Sequence, residues 1–296
     1  MNLPSAFLTR MQEMLGEEYE AFLQSYESGH YQSLRLNPRK TDREEFTEKS
    51  PFHLTPVAWE KNGFYYSEED TPGKHPYHEA GVYYIQEASA MAPVGYLDVQ
   101  PGDYVLDLCA APGGKTVLLA EQMQGTGELY SCDAAENRVG LIRTAVDRMG
   151  FTGVHTLCND ATKPNPALPM ADRILTDVPC SGLGILAKKP DMRYKKLEAA
   201  RQAELLATQA AILDTAAALL KAGGRLVYST CTIDPAENQQ QIAAFLQRHP
   251  EFAVCAPEVP LPAGMTAGAH GCLSVPTRTG MDGFFLCVLQ KAAATQ

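Results

Sequence analysis

Residues 105–116 read Val-Leu-Asp-Leu-Cys-Ala-Ala-Pro-Gly-Gly-Lys-Thr, an apolar run that leads into a glycine-rich turn. The pattern predicts a buried strand, a tight turn and the start of a helix. Gly113 and Gly114 have no Cβ and can take positive φ, so a ligand can lie against the backbone, facing the first amides of the helix. This stretch therefore predicts a nucleotide or nucleoside site after the strand.

The spacing of the turn favours a nucleoside over a triphosphate. A phosphate loop requires G-x-x-x-x-G-K-[ST], and Cys109 occupies the position of its first glycine. Asp133 follows a second strand-like run, about 20 residues after the glycines, where an acid holds ribose hydroxyls in doubly wound folds. Asp160 and Asp177 follow the third and fourth strand-like runs. Because the G-x-G-x-x-G fingerprint is missing, S-adenosylmethionine fits better than a nicotinamide dinucleotide.

From residue 104 the sequence alternates between strand-like and helix-like patterns, which predicts an α/β fold with a mainly parallel sheet. The expected strands are 104–108, 128–132, 154–158, 173–177, 225–230 and 283–289, and the expected helices are 115 onward, 136–150, about 195–221 and 235–248. The Pro/Gly/Ala-rich stretch 259–269 is expected to be a loop.

The first part of the chain predicts a small α/β lobe, residues 1–92, ahead of a larger domain, residues 93–296. Apolar residues recur at helical spacing between Phe7 and Tyr26, which indicates one amphipathic helix. A short strand at 33–38 and a β-like patch at 63–66 follow it.

The charge pattern limits the kinds of partner. The chain has a net charge of −10, which argues against loose, purely electrostatic binding of nucleic acid. A local basic strip, residues 186–201, either contacts RNA phosphates or is a solvated helix entrance. Its cations are Lys188, Lys189, Arg193, Lys195, Lys196 and Arg201.

Cysteine usage and the chain start indicate a cytoplasmic protein. The eight cysteines contain no C-x-x-C pair, so we expect free thiols and neither a metal site nor a disulfide framework. The first residues carry several glutamates and no uninterrupted apolar run, so neither a signal peptide nor a membrane span is expected there.

Two cysteines follow predicted strands: Cys180 in Asp-Val-Pro-Cys-Ser-Gly (177–182) and Cys231 in Tyr-Ser-Thr-Cys-Thr (228–232). Ligands of parallel sheets bind beyond the carboxyl ends of the strands, so both thiols should face the methyl donor. Carbon 5 of cytosine becomes nucleophilic only after a group such as a thiolate adds to carbon 6, and release then needs a second acid or base. Amino-group methyltransferases carry Asn/Asp-Pro-Pro-Tyr/Phe where residues 177–180 read Asp-Val-Pro-Cys. Chemistry leaves open which cysteine attacks, since DNA cytosine-5 enzymes use the one in their Pro-Cys motif.

The turn at 107–116 and the two cysteine motifs together resemble the Nol/Nop/Sun family of S-adenosylmethionine-dependent RNA cytosine-5 methyltransferases. Arg35-x-Asn37 and residues 84–93 resemble segments that precede the catalytic core of this family, and residues 72–93 are most similar to its bacterial RsmF-type ribosomal RNA enzymes. The resemblance implies a Rossmann-like class I methyltransferase fold with a mainly parallel seven-stranded sheet and an antiparallel last strand. Leu36 and Val178 replace the family's usual Val and Ala.

The resemblance also implies residue roles. Cys231 is expected to be the nucleophile, Cys180 to aid release, and Asp177 to orient the base, while Lys115 lies near the donor's carboxylate. The implied cofactor set is Cys109, Ala110, Ala111, Pro112, Gly113, Gly114, Lys115, Asp133, Arg138, Asp160 and Asp177.

The expected function is methylation of cytosine carbon 5 in RNA by a cytoplasmic monomer. The expected substrate is 16S-type rRNA, with the ribosomal subunit as a partner, and tRNA is the main alternative substrate. The sequence is also compatible with a DNA cytosine-5 enzyme or a non-catalytic assembly factor. RsmF-type proteins usually continue into a C-terminal RNA-binding domain, so a chain that stops at Gln296 is expected to be a short member or a catalytic fragment.

Overall fold

The computed structural model describes residues 5–25, 31–186, 188, 199–256, 259–279 and 281–294. The chain up to residue 97 forms the helices α1 Ser5–Leu15, α2 Tyr19–Ser25, α3 Arg43–Lys49, α4 Pro76–Glu79 and α5 Ala88–Leu97, and the strands β1 Gln32–Leu36, β2 Leu54–Pro56, β3 Gly63–Tyr66 and β4 Tyr83–Ile85. The remainder forms β5 Tyr104–Asp107, α6 Gly114–Gln122, β6 Glu128–Asp133, α7 Glu136–Met149, β7 Val154–Cys158, β8 Ala171–Asp177, α8 Ala199–Leu219, β9 Leu220–Thr230, α9 Gln239–Arg248, β10 Phe252–Val254, β11 Thr266–Gly268, β12 Gly271–Ser274, α10 Pro276–Thr279 and β13 Phe284–Lys291.

The predicted α/β class is confirmed by the larger sheet, in which β7, β6, β5, β8 and β9 are parallel neighbours and β13 is antiparallel to β9. This sheet has nine strands among the described residues, not seven. The difference arises beyond β13, where β10 pairs with one half of that strand and β12 with the other, and β11 extends β12. The expectation of a loop throughout 259–269 is therefore wrong for Thr266–Gly268.

Two helix boundaries also differ from the sequence prediction. The helix expected to continue to residue 221 ends at Leu219, because Leu220 already pairs with Ala171 of β8. The helix expected from residue 235 begins at Gln239. Residues 235–238 form turns instead, and their buried side chains contact the Cys231 loop. Asn238 Nδ2, for example, donates to the carbonyl oxygen of Thr232 at 2.9 Å.

The single N-terminal helix predicted from periodicity is wrong: α1 and α2 are separate, and Gly16 between them has φ +53°. The apolar side chains that the structure describes in these helices belong to a different cluster from the core of the small lobe. Met11 and Phe22 are buried against Leu183 and Ile233, which follow the two cysteine loops. The first helices therefore pack behind the candidate site of the larger domain.

The small lobe is a four-stranded antiparallel sheet in the order β2-β3-β1-β4, and buried polar contacts join it to the larger domain. Arg35 is fully buried and forms an ion pair with Glu121 at the end of α6. Asn37 Nδ2 donates to the carbonyl oxygens of Gly81 at 3.0 Å and Met149 at 2.8 Å. The Arg-x-Asn element is thus structural. The predicted division between the small lobe, residues 1–92, and the larger domain, residues 93–296, falls inside α5. We propose this helix as the connection between the two units.

Among the described residues, the structure contains no helix with the length and apolarity needed to span a membrane.

Candidate active site

A cavity of about 460 Å³ opens at the carboxyl ends of the parallel strands. It brings together residues from the turn after β5, the ends of β6, β7 and β8, and the Cys231 loop after β9. Predicted residues that line it are Cys109, Ala111, Pro112, Asp133, Arg138, Asp160, Asp177, Cys180 and Cys231. Ala110, Gly113, Gly114 and Lys115 are not among its described lining residues.

The two glycines of the turn allow neighbouring elements to pack closely against it. Gly113 uses the conformational freedom of glycine, with φ +108°, and a Cβ there would lie 3.1 Å from the Cβ of Ala145 in α7. Gly114 has no positive φ, because it is the first residue of α6. A Cβ on Gly114 would lie 3.0 Å from Cε1 of Tyr84, so this glycine permits close contact with the small lobe.

Asp133 is buried at the end of β6, with its Oδ1 atom 3.3 Å from Arg138 Nη1 and accepting from the amide of Ala135 at 3.3 Å. Both contacts involve one carboxylate oxygen. Asp160 accepts from the Thr162 hydroxyl at 2.6 Å, and this bond, together with Lys163, lowers the pKa of Asp160 to about 2. Asp160 therefore lines the cavity while also stabilising its own turn.

Asp107 lies beneath the turn and is fully buried. Its Oδ2 atom accepts from the Thr116 hydroxyl at 2.8 Å, and Oδ1 is buried with no hydrogen-bond partner among the described residues. Burial raises the pKa of Asp107 to about 7. A buried carboxyl oxygen without a donor is costly unless a ligand or a proton satisfies it.

Asp177 is held from two sides at the end of β8. Its Oδ2 atom lies 2.8 Å from Lys115 Nζ, and its Oδ1 atom accepts from the Ser229 hydroxyl at 2.7 Å. Burial acts to lower the pKa of Lys115, but the charge and hydrogen bond of Asp177 outweigh it and the net shift is upward. Lys115 thus stays cationic and orients Asp177.

The two predicted thiols meet in the cavity. The Sγ atoms of Cys180 and Cys231 are 3.0 Å apart, and the amide of Cys231 donates to Cys180 Sγ at 3.3 Å. The hydrogen bond to Cys231, burial, and the charges of Glu237 and Asp177 raise the pKa of the Cys180 thiol. At this separation one S–H can stabilise a thiolate on the neighbouring sulfur.

Residues 94–290 match the family described as 16S rRNA methyltransferase RsmB/F, and residues 3–88 match the N-terminal domain of 16S rRNA methyltransferase RsmF. The chain belongs to the RsmB/F family. It is 38% identical over 273 residues to a probable ribosomal RNA small subunit methyltransferase B of Bacillus subtilis, covering 88% of this chain and 60% of that protein. It is 34% identical over 307 residues to ribosomal RNA small subunit methyltransferase F of Erwinia tasmaniensis, covering 98% and 64%. The chain therefore spans less than two thirds of these relatives.

Solved structures agree with this membership. A methyltransferase homolog protein from Pyrococcus horikoshii superposes with a TM-score of 0.84 at 29% identity, covering 97% of this chain and 95% of that one. NSun6 from Pyrococcus horikoshii with SFG superposes with a TM-score of 0.87 at 19% identity, covering 99% of both chains, and shares the fold.

Membership in the RsmB/F family confirms the predicted cofactor, S-adenosylmethionine. The residues of this chain fit it. Asp133 has a carboxylate oxygen outside its two contacts, and the turn at 109–112 lines the same cavity.

The described part of the basic strip includes Lys188, whose ammonium makes contacts within the protein. Its ammonium contacts Glu87, lies 3.0 Å from Asp282 and donates to the carbonyl oxygen of Tyr31 at 2.8 Å. Because only 17% of this side chain is exposed, it is unsuited to a phosphate contact. Residues 189–198 of the strip lie outside the described residues.

Sequence reasoning missed two polar residues of the RsmB/F site, Ser229 and Glu237. Ser229 lies near the carboxyl end of a predicted parallel strand, where ligands of such sheets bind, so this signal was present in the sequence. Glu237 lies in the turns that precede α9. Hydrophobic periodicity does not predict the path of such turns, so the sequence did not place this residue in the site.

Proposed function

We propose that this protein transfers a methyl group from S-adenosylmethionine to carbon 5 of a cytosine in RNA, with 16S-type rRNA as the substrate. The observation that carries the proposal is the pair of thiols 3.0 Å apart beside Asp177 in the cavity. A methyl transfer to nitrogen or oxygen needs no such pair, whereas a ring carbon needs a nucleophile and a release partner.

The reaction begins when the Cys231 thiolate adds to carbon 6 of a cytosine extruded from its stack. The new sulfur–carbon bond makes carbon 5 nucleophilic, and carbon 5 takes the methyl group from the donor sulfonium. A base then removes the proton from carbon 5, the carbon–sulfur bond breaks, and the double bond returns as the Cys231 thiolate leaves.

Other residues of the site support these reaction steps. Cys180 holds its proton, as its raised pKa indicates, and its S–H, 3.0 Å from the Cys231 sulfur, stabilises the Cys231 thiolate as it leaves carbon 6. Asp177 orients the base, because Lys115 and Ser229 fix both of its oxygens. Asp133 accepts from the ribose of the donor.

The family and its relatives favour rRNA over tRNA and DNA. Relatives in the methyltransferase B and F groups carry the name of the small ribosomal subunit RNA. We propose that the protein acts as a monomer in the cytoplasm, where this RNA is found. A tRNA substrate is the second candidate, and DNA is disfavoured because a Pro-Cys enzyme needs no second thiol.

Purified protein should be incubated with methyl-labelled S-adenosylmethionine and, separately, with 16S rRNA, small ribosomal subunits, tRNA or DNA. Mass spectrometry of the digested nucleosides should find labelled 5-methylcytosine in the rRNA or subunit sample, and none with Cys231→Ala. Label in a base other than cytosine, or in DNA alone, would contradict the proposal. Label in tRNA alone would select the second candidate.

A further inference from the structure

Glu237 is a fully buried carboxylate just after the Cys231 loop, and the reaction as derived above does not use it. Its Oε2 atom accepts from the amide of Ser181 at 2.8 Å and from Gln209 Nε2 at 3.0 Å. Its Oε1 atom accepts from the Ser181 hydroxyl. Since burying a carboxylate costs several kcal/mol unless donors satisfy it, these donors are held in place whenever the protein is folded.

The contacts of Glu237 reach both sides of Cys180. Ser181 follows this cysteine in the sequence, and Gln209 Nε2 also donates to the carbonyl oxygen of Pro179, which precedes it, at 3.0 Å. Glu237 therefore fixes the Cys180 loop at the residue after the thiol directly and at the residue before it through Gln209.

The same network continues to the second cysteine. The Ser181 and Thr232 hydroxyl oxygens are 2.9 Å apart. Because Ser181 donates to Glu237, the Thr232 hydroxyl donates to Ser181, and it accepts from the amide of Asp234 at 3.2 Å. Thr232 follows Cys231, so one chain of hydrogen bonds runs from Glu237 to the residue after each thiol.

We propose that Glu237 is a positioning residue that sets the distance between the Cys180 and Cys231 sulfurs by anchoring both cysteine loops. The proposal rests on the proposed function for its catalytic consequence. Its structural content, the approach of two thiols, can be measured without RNA.

Three substitutions separate position from charge. In Glu237→Gln, the amide oxygen can accept from the Ser181 amide and Gln209 while the NH₂ group donates to the Ser181 hydroxyl, so the loops stay anchored. Glu237→Ala removes the anchor, and Glu237→Asp is one methylene too short to reach both loops. Glu121→Ala is the matched control, because Glu121 is also a mostly buried carboxylate but lies at the far end of α6.

The first measurement is the methylation rate with rRNA. Misplacement by about 1 Å can cost about 100-fold in rate, so we expect a loss of kcat of this order in Glu237→Ala and Glu237→Asp, with KM for RNA and cofactor affinity near wild type. Glu237→Gln should recover most of kcat. Glu121→Ala should lower the melting temperature but keep kcat. Equal losses in the Gln and Ala variants, or a loss confined to KM, would overturn the proposal.

The second measurement uses diamide, which takes two electrons and two protons from a pair of thiols and leaves a disulfide. Peptide mass spectrometry should find rapid Cys180–Cys231 linkage in wild type and Glu237→Gln, and much slower linkage in Glu237→Ala. If linkage is slowed only in Glu237→Ala and the wild type does not methylate RNA, the proposed function fails and the positioning role stands. Equal linkage rates in all variants reject the positioning role whatever the activity.

A second variant serves if Glu237→Ala does not fold. Ser181→Ala removes only the hydroxyl bridge and is expected to slow linkage, and an unchanged rate in this variant also rejects the proposal.

Discussion

Cys180 and Cys231 are 51 positions apart in the sequence, yet their sulfurs are 3.0 Å apart. The sequence predicted that they would share one edge of the sheet, because both follow strands of a parallel fold. It did not predict their distance, which depends on the buried contacts of Glu237. Nothing in the spacing of Glu237 distinguishes a buried anchor from an exposed helix residue.

Asp133 is predicted to bind the cofactor through its ribose. Asp133→Ala should weaken the binding of S-adenosylmethionine by about 1–3 kcal/mol, because donors of the ligand lose their acceptor. Isothermal titration calorimetry measures this directly. Glu136→Ala, three residues on and exposed at the start of α7, is a matched control that should bind as the wild type does. An unchanged affinity in the Asp133 variant would remove this residue from the site.

The raised pKa of Asp107 should make the free energy of unfolding depend on pH. Its pKa is raised by burial from 3.8 to about 7, so between these values the native protein holds a proton that the unfolded chain has released. The contribution of Asp107 to stability is therefore present at low pH and is lost as pH rises through this window. Asp107→Asn keeps an acceptor for Thr116 and has no proton to lose. Urea unfolding should show a smaller fall in stability between about pH 5 and pH 7 in this variant than in wild type. Parallel pH profiles would contradict the assignment.

The parallel strands were predictable because apolar runs alternate with segments of helical periodicity. The broken first helix and the short strand β11 were not. Periodicity continues across Gly16, whose φ of +53° ends the first helix, and Thr266–Gly268 is a strand only because β12 pairs with it. β12 follows after only residues 269–270, but three strand residues that end in glycine are too few to show an alternating pattern.

Gly184 lies where two backbone segments near the thiols approach each other so closely that a side chain would not fit. Its amide donates to the carbonyl oxygen of Cys231 at 3.0 Å, and a Cβ there would lie 1.9 Å from the carbonyl oxygen of Gly283. Gly184→Ala should therefore force the backbones apart, lower the free energy of unfolding by about 1–3 kcal/mol and reduce methylation. Gly95→Ala in α5, where nothing lies within 4 Å of the added Cβ, should raise it by about 0.5–1 kcal/mol. Urea unfolding compares the two, and equal effects would contradict the close approach.

The sequence predicted a small lobe and a larger domain but not the contacts that join them. Arg35 looks like an ordinary strand residue, and only the fold reveals that it is fully buried against Glu121. The N-terminal helices likewise have an amphipathic pattern that cannot specify which unit they pack against. They lie behind the cysteine loops, so the structure links the start of the chain to the candidate site.

The Arg35–Glu121 ion pair should contribute strongly to the free energy of unfolding, because it joins the small lobe to the larger domain. Arg35→Ala leaves a mostly buried carboxylate without its partner, so the free energy of unfolding should fall by about 3–5 kcal/mol. Lys49→Ala removes an ion pair with Glu45 whose side chains are 71% and 59% exposed, and should cost less than about 0.5 kcal/mol. Chemical denaturation of both variants tests this, and similar costs would show that the junction does not depend on the buried pair.

In the proposed reaction Cys231 attacks the base and Cys180 enables release. Denaturing electrophoresis of each cysteine variant after reaction with rRNA and S-adenosylmethionine separates these two roles. Cys180→Ala should attack and methylate but fail to release, leaving a covalent protein–RNA adduct, whereas Cys231→Ala should form no adduct and no 5-methylcytosine while its cofactor affinity stays near wild type. An adduct in the Cys231 variant would reverse the two roles, and activity without an adduct in both variants would contradict the two-cysteine mechanism.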